Sequence, residues 1–138
     1  MPSSGGASKG TRRDKARRGT LFVMPFLESV PNVSEGRDAR TIARIAAAAE
    51  SVAGVRLLHR TSDPDHHRTV LTLAGEAAPL VDALLNLAEA TYATVDLREH
   101  QGVHPRVGAL DVVPFVPLPG LAGRATMADA IAAAERFG

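Results

Sequence analysis

The chain contains no cysteine and no tryptophan, and aromatic residues make up only 4% of it. Without cysteine there are no disulfides, thiolate metal sites or cysteine nucleophiles, which fits a reducing compartment, and we expect the cytoplasm. Because aromatics are scarce, the core must consist mainly of alanine, valine and leucine. No apolar run is long enough for a secretory signal or a membrane span, so we expect no membrane partner. The 138 residues suffice for one domain with a core and are few for two.

Basic residues are concentrated at the N-terminus, although the whole chain has a formal net charge of only +1. Without residues 1–23, 10 basic and 14 acidic residues remain, a net charge of −4. Glycine, serine and like charges cannot form a core, so we expect residues 1–23 to be a disordered basic extension. One alternative is a nucleic-acid-binding arm, which we disfavour because no aromatic is interleaved for base stacking. Another is that translation begins at Met24.

Hydrophobic patterning predicts four strands and three helices, with turn residues at 31–38 and 61–66. We predict strands over 21–30, 55–60, 67–75 and 109–116, and helices over 39–53, 76–95 and 126–138. Asp38 is positioned to cap the first helix and Gly54 to end it. Thr126 and Asp129 resemble a capping box at the last helix. The order predicts an α+β, ferredoxin-like β-α-β-β-α-β sheet with helices on one face, plus a C-terminal helix.

The first two helices are predicted to be amphipathic, because their apolar residues recur at a spacing of three or four. The predicted core-facing residues are Ile42, Ile45, Ala46, Ala49, Leu80, Leu84, Leu87, Ala88 and Thr91. Pro79 is acceptable in the first turn of its helix, where its missing N–H would be unsatisfied anyway.

Three polar loops have sequences that the core does not explain, and we expect the topology to bring them together. They are 31-PNVSEGR-37, 61-TSDPDHHR-68 and 98-REHQGVHPR-106. In the third loop Pro105 favours an extended His104, and Gly102 allows close backbone approach to a ligand. An imidazole held in this way suits a general base, with Arg106 as a carboxylate clamp. The alternative is that His104 only caps a turn by bonding to a backbone carbonyl.

A metal site is a further hypothesis that the spacing of the ligands does not favour. Candidate ligands are Asp63, Asp65, His66, His67, His100 and His104. His100 and His104 are four residues apart, but Gly102 and Pro105 argue against a helix between them, and no zinc-protease motif is present. We therefore expect no metal. We expect Asp111 to form a hydrogen bond at a strand end or to orient a partner, and a role as a catalytic acid is the alternative.

The three loops resemble those of the N-terminal subdomain of the formiminotransferase domain. The matching stretches are 28-ESVPNVSEGRD-38, 63-DPDHHRTVLTLAG-75 and 98-REHQGVHPRVGALDVVPFVPLPG-120. The family pattern is close to ECVPNFSEG, then DPDHNR followed by a strand, then GEHPRxGALDVxPFxP. The resemblance covers residues 27–138, so we interpret 24–138 as a truncated N-terminal subdomain.

This resemblance implies an enzyme that transfers the formimino group of N-formimino-L-glutamate to N5 of tetrahydrofolate, as in histidine catabolism. Tetrahydrofolate would be a co-substrate, and the histidine of the His-Pro-Arg motif, taken in the family as the general base, is His104. We expect Arg68 and Arg106 to bind carboxylates of glutamate or of folate. We expect the rest of the binding site to be formed by Asn32, Ser34, Glu35, Gly36, His67 and Gly102.

Two departures from the family pattern lie at or beside the proposed site, and the chain also differs in its length. Val103 replaces a glutamate before the catalytic histidine, and His67 replaces an asparagine. The family's first subdomain continues beyond the length of this chain, and a second subdomain completes the groove. Activity would then require a second-subdomain chain or a homodimer. The alternatives are a non-catalytic module that binds folate or carboxylates, and a nucleic-acid-binding domain led by the basic arm.

Overall fold

The computed structural model describes residues 24–103, 105, 107–120 and 124–138. Its strands are β1 (Phe26–Ser29), β2 (Asn32–Val33), β3 (Arg56–Asp63), β4 (Arg68–Glu76), β5 (Leu110–Val112) and β6 (Phe115–Pro117). Its helices are α1 (Ala39–Glu50), α2 (Ala77–Thr94) and α3 (Met127–Phe137), with a short 3₁₀ turn at Leu97–Glu99. The predicted tail and the strand residues 21–23 lie outside the described residues.

All strand pairs in the six-stranded sheet are antiparallel. The strand order is β5-β2-β4-β1-β6, and β3 forms a hairpin with β4. Strand β4 is the centre of this arrangement, because β1 pairs with its C-terminal half and β2 with its N-terminal half. The mixed α/β class with three helices is therefore confirmed.

Two breaks separate β1 from β2 and β5 from β6, and a proline lies at each break. The segment 31–38 was predicted to be a turn throughout, which is wrong for Asn32 and Val33, since these form β2. The strand predicted over 109–116 is divided into β5 and β6 at Val113–Pro114. Proline has no N–H for the ladder, so a strand is easily broken there. At the first break the carbonyl of Pro31 still accepts from the N–H of Leu71.

The first strand of the hairpin is longer than predicted, the second is shifted by one residue, and the first helix is shorter. Strand β3 continues to Asp63 instead of ending at residue 60, so the link between β3 and β4 is only residues 64–67. Helix α1 ends at Glu50, and Gly54 follows after a short turn with a positive φ of 83°. Turn residues at 61–63 therefore did not prevent strand pairing, since each of them has a partner on β4.

The helix starts and faces agree closely with the prediction. The Asp38 side chain accepts from the N–H of Arg40 at the start of α1, and Thr126 and Asp129 form a capping box at α3. All nine predicted core-facing residues of the first two helices are buried. Helix α2 packs between α1 and α3 and contacts β1 and β4. No helix in the described part of the chain is long and apolar enough to cross a membrane.

The core lies between these helices and one face of the sheet. Along β4, Thr69, Leu71 and Leu73 are buried, whereas Val70 and Thr72 point to the other side and are half-buried. Within the described residues no helix covers this second face, which we call the open face. Val112 on β5 and Val116 on β6 are exposed at 51% and 41%. Side chains that alternate along one strand therefore reach two different environments.

Candidate functional site

The three polar loops meet in the structure, as their sequence order predicted. The first and second are joined by the N–H of Gly36, which donates to Nδ1 of His67 at 3.0 Å. Nε of Arg37 also donates to the carbonyl of Pro64 at 2.8 Å. The first loop is also joined to the stretch that follows the third loop, because the N–H of Ser34 donates to the carbonyl of Ala109 at 2.8 Å. These bonds fix the loops to one another through described residues.

Two glycines are required for this close approach. A Cβ on Gly36 would overlap the carbonyl of Asp63 and the backbone nitrogen of Arg68. A Cβ on Gly102 would lie 2.7 Å from the carbonyl of His66, well inside the normal contact distance. The first and third loops therefore both pack against the turn between β3 and β4, with no space for a side chain at either glycine.

His67 and His100 link the second loop to the third. His67 has a positive φ of 51°, a conformation that histidine adopts more readily than most residues. Its ring stacks on that of His100, with centroids 4.1 Å apart and 18° between the planes. Nε2 of His100 donates to the carbonyl of His67 at 3.0 Å. Both rings are thus held by ring contact and by backbone hydrogen bonds.

Glu35 is largely buried beside these rings and stabilises the start of α1. Its Oε1 accepts from the N–H of Arg37 at 2.7 Å and from the N–H of Asp38 at 3.0 Å. The same oxygen lies 3.5 Å from Nδ1 of His67. Since Nδ1 already accepts from Gly36, we assign the ring proton to Nε2 and do not regard this contact as a charged pair. The carboxylate of Glu35 therefore acts as a hydrogen-bond acceptor for backbone N–H groups.

A polar cavity of about 260 Å³ opens at this junction. It lies between the start of α1 and the end of α2. The residues that line it are Ser34, Glu35, Asp38, Thr41, His67, Thr94, Val95, Asp96, Glu99 and His100. Arg98 donates to Asp96 from its side chain and from its N–H, which lowers the pKa of that carboxyl to about 2. Carboxylates and imidazoles dominate the lining, so the cavity favours polar ligand groups.

Asn32 and Arg68 form a second polar pair, apart from this cavity. Nη2 of Arg68 donates to Oδ1 of Asn32. Arg68 points to the same side of β4 as Val70, and a shallow depression on that open face is lined by Thr61, Asp63, His66, Arg68 and Val70. The predicted binding residues therefore fall into two groups, one at the cavity and one at the edge of the open face.

His104 and Arg106 lie outside the described residues, so their predicted roles are not tested. The chain on either side of them is described. The N–H of Val103 donates to the carbonyl of Asp65 at 3.4 Å, and the N–H of Val107 donates to Oδ1 of Asp111 at 2.9 Å. Gly108 donates to the same oxygen at 2.8 Å. The expected strand-end hydrogen bond of Asp111 is confirmed.

The structural part played by His100 was not predicted from the sequence. That residue was considered only as a metal ligand, whereas it is 7% exposed and stacks on His67. Its proximity to a glycine that must pack closely was the available signal. Among the described residues, no group of three or more His, Asp or Glu side chains is arranged to hold a metal ion.

Comparison with known proteins gives a family match over most of the chain. The model of the N-terminal subdomain of the formiminotransferase domain matches residues 26–138. The formimidoyltransferase-cyclodeaminase of Sus scrofa is 41% identical over 113 residues, which are 82% of this chain and 20% of that protein. The glutamate formimidoyltransferase of Streptococcus pyogenes serotype M1 is 37% identical over 112 residues, 81% of this chain and 38% of that protein. That of Thermoplasma acidophilum is 44% identical over 95 residues, 69% of this chain and 31% of that protein.

The chain thus spans about a fifth to two fifths of the length of these relatives. Their names identify them as formimidoyltransferases, and two of the three are named for glutamate. The matched segment includes all three polar loops and every described helix. By this match, the chain belongs to the formiminotransferase family and corresponds to the N-terminal subdomain of the formiminotransferase domain.

Proposed function

We propose that this chain supplies one half of a site that transfers the formimino group of N-formimino-L-glutamate to N5 of tetrahydrofolate. The observation that carries the proposal is the match over residues 26–138, together with relatives named glutamate formimidoyltransferase at 37% and 44% identity. The bonds that join the three polar loops support it, because the family's characteristic motifs lie in those loops. Such a reaction belongs to cytoplasmic one-carbon metabolism and histidine catabolism.

In the proposed reaction, His104 is the general base. N5 of tetrahydrofolate attacks the formimino carbon and gives a tetrahedral intermediate, and His104 removes the proton of N5 as the new bond forms. The bond from that carbon to the nitrogen of glutamate then breaks, and the protonated imidazole returns the proton to the leaving nitrogen. A positioned base of this kind contributes about 10²–10⁴-fold in rate. No metal is needed for these steps.

The carboxylates of glutamate or of the folate tail are proposed to bind at Arg68 and Arg106. A guanidinium binds a carboxylate through two parallel hydrogen bonds, and Asn32 holds Nη2 of Arg68 at the edge of the open face. Ser34, Glu35 and His67 would form the polar wall at the cavity. The remaining proposed binding residues, Gly36 and Gly102, allow the loops to approach each other without side chains.

The second half of the site is proposed to pack against the open face. We also propose that the fold is ferredoxin-like. The strand order supports this if β1 with β2, and β5 with β6, are each counted as one interrupted strand. Val112 on β5, which pairs with Asn32, and Val116 on β6 leave apolar surface exposed. The covering half can come from a second-subdomain chain or from another copy of this chain.

The test is a hybrid enzyme in which residues 26–138 replace the 112 matching residues of the Streptococcus pyogenes relative. We expect this hybrid to transfer the formimino group to tetrahydrofolate, and to bind 5-formyltetrahydrofolate in calorimetry. The unaltered relative is the positive control. The full chain of 138 residues is titrated separately with 5-formyltetrahydrofolate.

A folded hybrid that neither transfers nor binds folate would contradict the proposal. Binding without transfer would favour the alternative, a non-catalytic module that binds folate or carboxylates. Salt-dependent nucleic-acid binding that disappears when residues 1–23 are removed would instead support the basic-arm hypothesis.

A further inference from the structure

We propose that His66 and Arg68 form the subsite for the amino-acid substrate on the open face, and that Asp63 positions the ring of His66 there. Arg68 binds the α-carboxylate, and Nε2 of His66 accepts from the N–H of the substituted α-nitrogen. The inference rests on the proposed function, which requires such a substrate, N-formimino-L-glutamate. It goes beyond that function because neither Asp63 nor His66 is among the binding residues proposed above.

The three side chains line one depression on the open face, together with Thr61 and Val70. Asp63 and Arg68 are directly opposite each other in the ladder between β3 and β4, so their side chains lie on the same side of the sheet. The depression has a volume of about 340 Å³. Small-molecule sites span about 300–1,000 Å³, and a volume at the lower end suits an amino acid better than a folate.

The carboxylate of Asp63 holds both the turn and the ring of His66. Its Oδ1 accepts from the N–H of Asp65 at 2.9 Å and from the N–H of His66 at 3.0 Å. Its Oδ2 lies 2.8 Å from Nδ1 of His66. The hydrogen bonds from the backbone N–H and then from the ring of His66 lower the pKa of Asp63, so the carboxyl is ionised at neutral pH. An ionised carboxylate only accepts, and Nδ1 therefore carries the proton.

This tautomer gives His66 and Arg68 complementary roles toward a ligand. With the proton on Nδ1, the neutral ring presents Nε2 as a hydrogen-bond acceptor. The side chain of His66 is 50% exposed, so a ligand in the depression can reach it. The guanidinium of Arg68 only donates, and Asn32 holds its Nη2 in place. An α-amino acid with an acyl or formimino group on its nitrogen offers both a carboxylate and an N–H on one carbon.

The backbone that carries His66 is fixed to the third loop. The N–H of Val103 donates to the carbonyl of Asp65 at 3.4 Å. Gly102 packs so closely that an added Cβ would lie 2.7 Å from the carbonyl of His66. The ring is thus oriented by a carboxylate on a turn that is itself held, and a preorganised group of this kind binds a ligand at a lower entropic cost.

The positioning role of Asp63 is tested by the tautomer of His66 in the full chain. NMR signals of the two ring nitrogens distinguish protonated from unprotonated nitrogen in the pH range where the ring is neutral, and His66→Leu assigns them. We expect the proton on Nδ1. Asp63→Asn should move it to Nε2, because the amide oxygen keeps both backbone bonds and the NH₂ group then faces Nδ1. Asp82→Asn, at an exposed aspartate paired with Arg136, is the control. A proton that stays on Nδ1 in Asp63→Asn would overturn the positioning role.

The ligand assignment is tested by titrating the full chain with N-formyl-L-glutamate and with glutarate, followed by NMR. Both ligands carry two carboxylates, but only the first has an N–H beside one of them. We expect N-formyl-L-glutamate to bind about 3- to 10-fold more tightly, as one neutral hydrogen bond allows. Asp63→Asn and His66→Leu should abolish this preference, whereas Asp82→Asn should keep it. The ratio of the two Kd values removes the effect of the lost charge, because that effect is common to both ligands.

A preference that persists in His66→Leu would overturn the subsite, and so would ring signals of His66 that do not respond to N-formyl-L-glutamate. If Asp63→Asn does not fold, His66→Leu decides alone, since it keeps both backbone bonds of Asp63. In the hybrid enzyme, His66→Leu should raise KM for N-formimino-L-glutamate by about 3- to 10-fold and leave the Kd for 5-formyltetrahydrofolate within about threefold. An inactive hybrid would refute the proposed function, while the preference in the full chain would still support the subsite. An active hybrid whose KM is unchanged by His66→Leu would refute the subsite alone.

Discussion

The imidazole rings of His67 and His100 stack with their centroids 4.1 Å apart, and this contact joins the turn between β3 and β4 to the third polar loop. The two residues are separated by 33 positions in the sequence. Nε2 of His100 adds a hydrogen bond to the carbonyl of His67. The stack involves a position at which this chain departs from its family's pattern, because that pattern has asparagine where this chain has His67.

Substitutions at position 67 should distinguish two contributions to stability. One is the ability of the residue to adopt a positive φ, and the other is the contact of the imidazole ring with His100. Asparagine tolerates the positive φ of 51°, so we expect His67→Asn to change the free energy of unfolding by less than about 1 kcal/mol. Valine is β-branched and is strained at a positive φ, so we expect His67→Val to lower the free energy of unfolding by about 1–3 kcal/mol. Urea unfolding at pH 7 measures both. Equal losses in the two variants would show that the ring contact, and not the backbone, determines stability here.

Gly36→Ala should be strongly destabilising, because the new Cβ would overlap backbone atoms of Asp63 and Arg68 that cannot rotate away. We expect a loss of about 3 kcal/mol in the free energy of unfolding. Gly138→Ala is the control, since its Cβ would meet its nearest atom, the carbonyl oxygen of Ala134, at an ordinary 3.6 Å. It should change stability by less than about 0.5 kcal/mol. A Gly36→Ala variant as stable as the control would refute the packing of the first loop on the second.

Removing the hydroxyl group of Ser29 should stabilise the folded chain. It is fully buried on β1, and its Oγ has no hydrogen-bond partner among the described residues. An unsatisfied buried hydroxyl is unfavourable, so we expect Ser29→Ala to raise the free energy of unfolding by about 1 kcal/mol.

Thr69→Val is the matched comparison for that substitution. Thr69 is equally buried, but its hydroxyl donates to the carbonyl of Glu35 and contacts Oγ of Ser62 at 2.9 Å. We expect Thr69→Val to lower the free energy of unfolding by about 1–3 kcal/mol, because the carbonyl of Glu35 is left without this donor. Thermal unfolding of the two variants should therefore shift in opposite directions, and shifts in the same direction would contradict the assignment.

Asp96 should contribute to the dependence of stability on pH. Hydrogen bonds from Arg98 lower the pKa of its carboxyl to about 2 in the folded chain, against 3.8 for the unperturbed group. A lowered pKa means that the unfolded state binds protons first, so this contribution is present above the unfolded pKa and is lost as the pH falls through about 2. The pair is exposed, so high salt should weaken the effect.

This pH effect is measured by urea unfolding at several pH values between about 6 and 2. Asp96→Asn should be less stable than the unaltered chain near neutral pH, and the difference should shrink as the solution is acidified. Asp82→Asn, which changes an exposed ion pair with Arg136, is the control. A difference in stability for Asp96→Asn that grows on acidification would contradict a lowered pKa of Asp96 in the folded chain.

The helices and their caps were predictable from the sequence because their determinants are local. Asp38 and Thr126 lie at helix starts, and the spacing of residues such as Ile42 and Leu84 fixes the buried face. The meeting of the three loops followed from their order along a sheet. The class of the fold was also accessible, since it depends on patterns that each segment carries by itself.

What the sequence did not reveal depends on contacts between distant segments. The stack of His67 on His100 requires a positive φ at one residue and close packing at Gly102, neither of which a local pattern encodes. The separation of Asn32 from the cavity was also missed. The pairing of β2 with β5 shifts register between Asn32 and Val33, so simple alternation cannot assign the sides of these residues.

The most direct measurement of the central claim is the effect of His104→Ala on formimino transfer by the hybrid enzyme. We predict that kcat falls by about 100-fold or more, because the base that accepts the proton of N5 is lost. The Kd for 5-formyltetrahydrofolate should stay within about threefold, equivalent to less than 1 kcal/mol. His59→Ala, at an exposed histidine on β3, is the control and should leave kcat unchanged. A His104→Ala hybrid that transfers as fast as the His59→Ala hybrid would contradict the account.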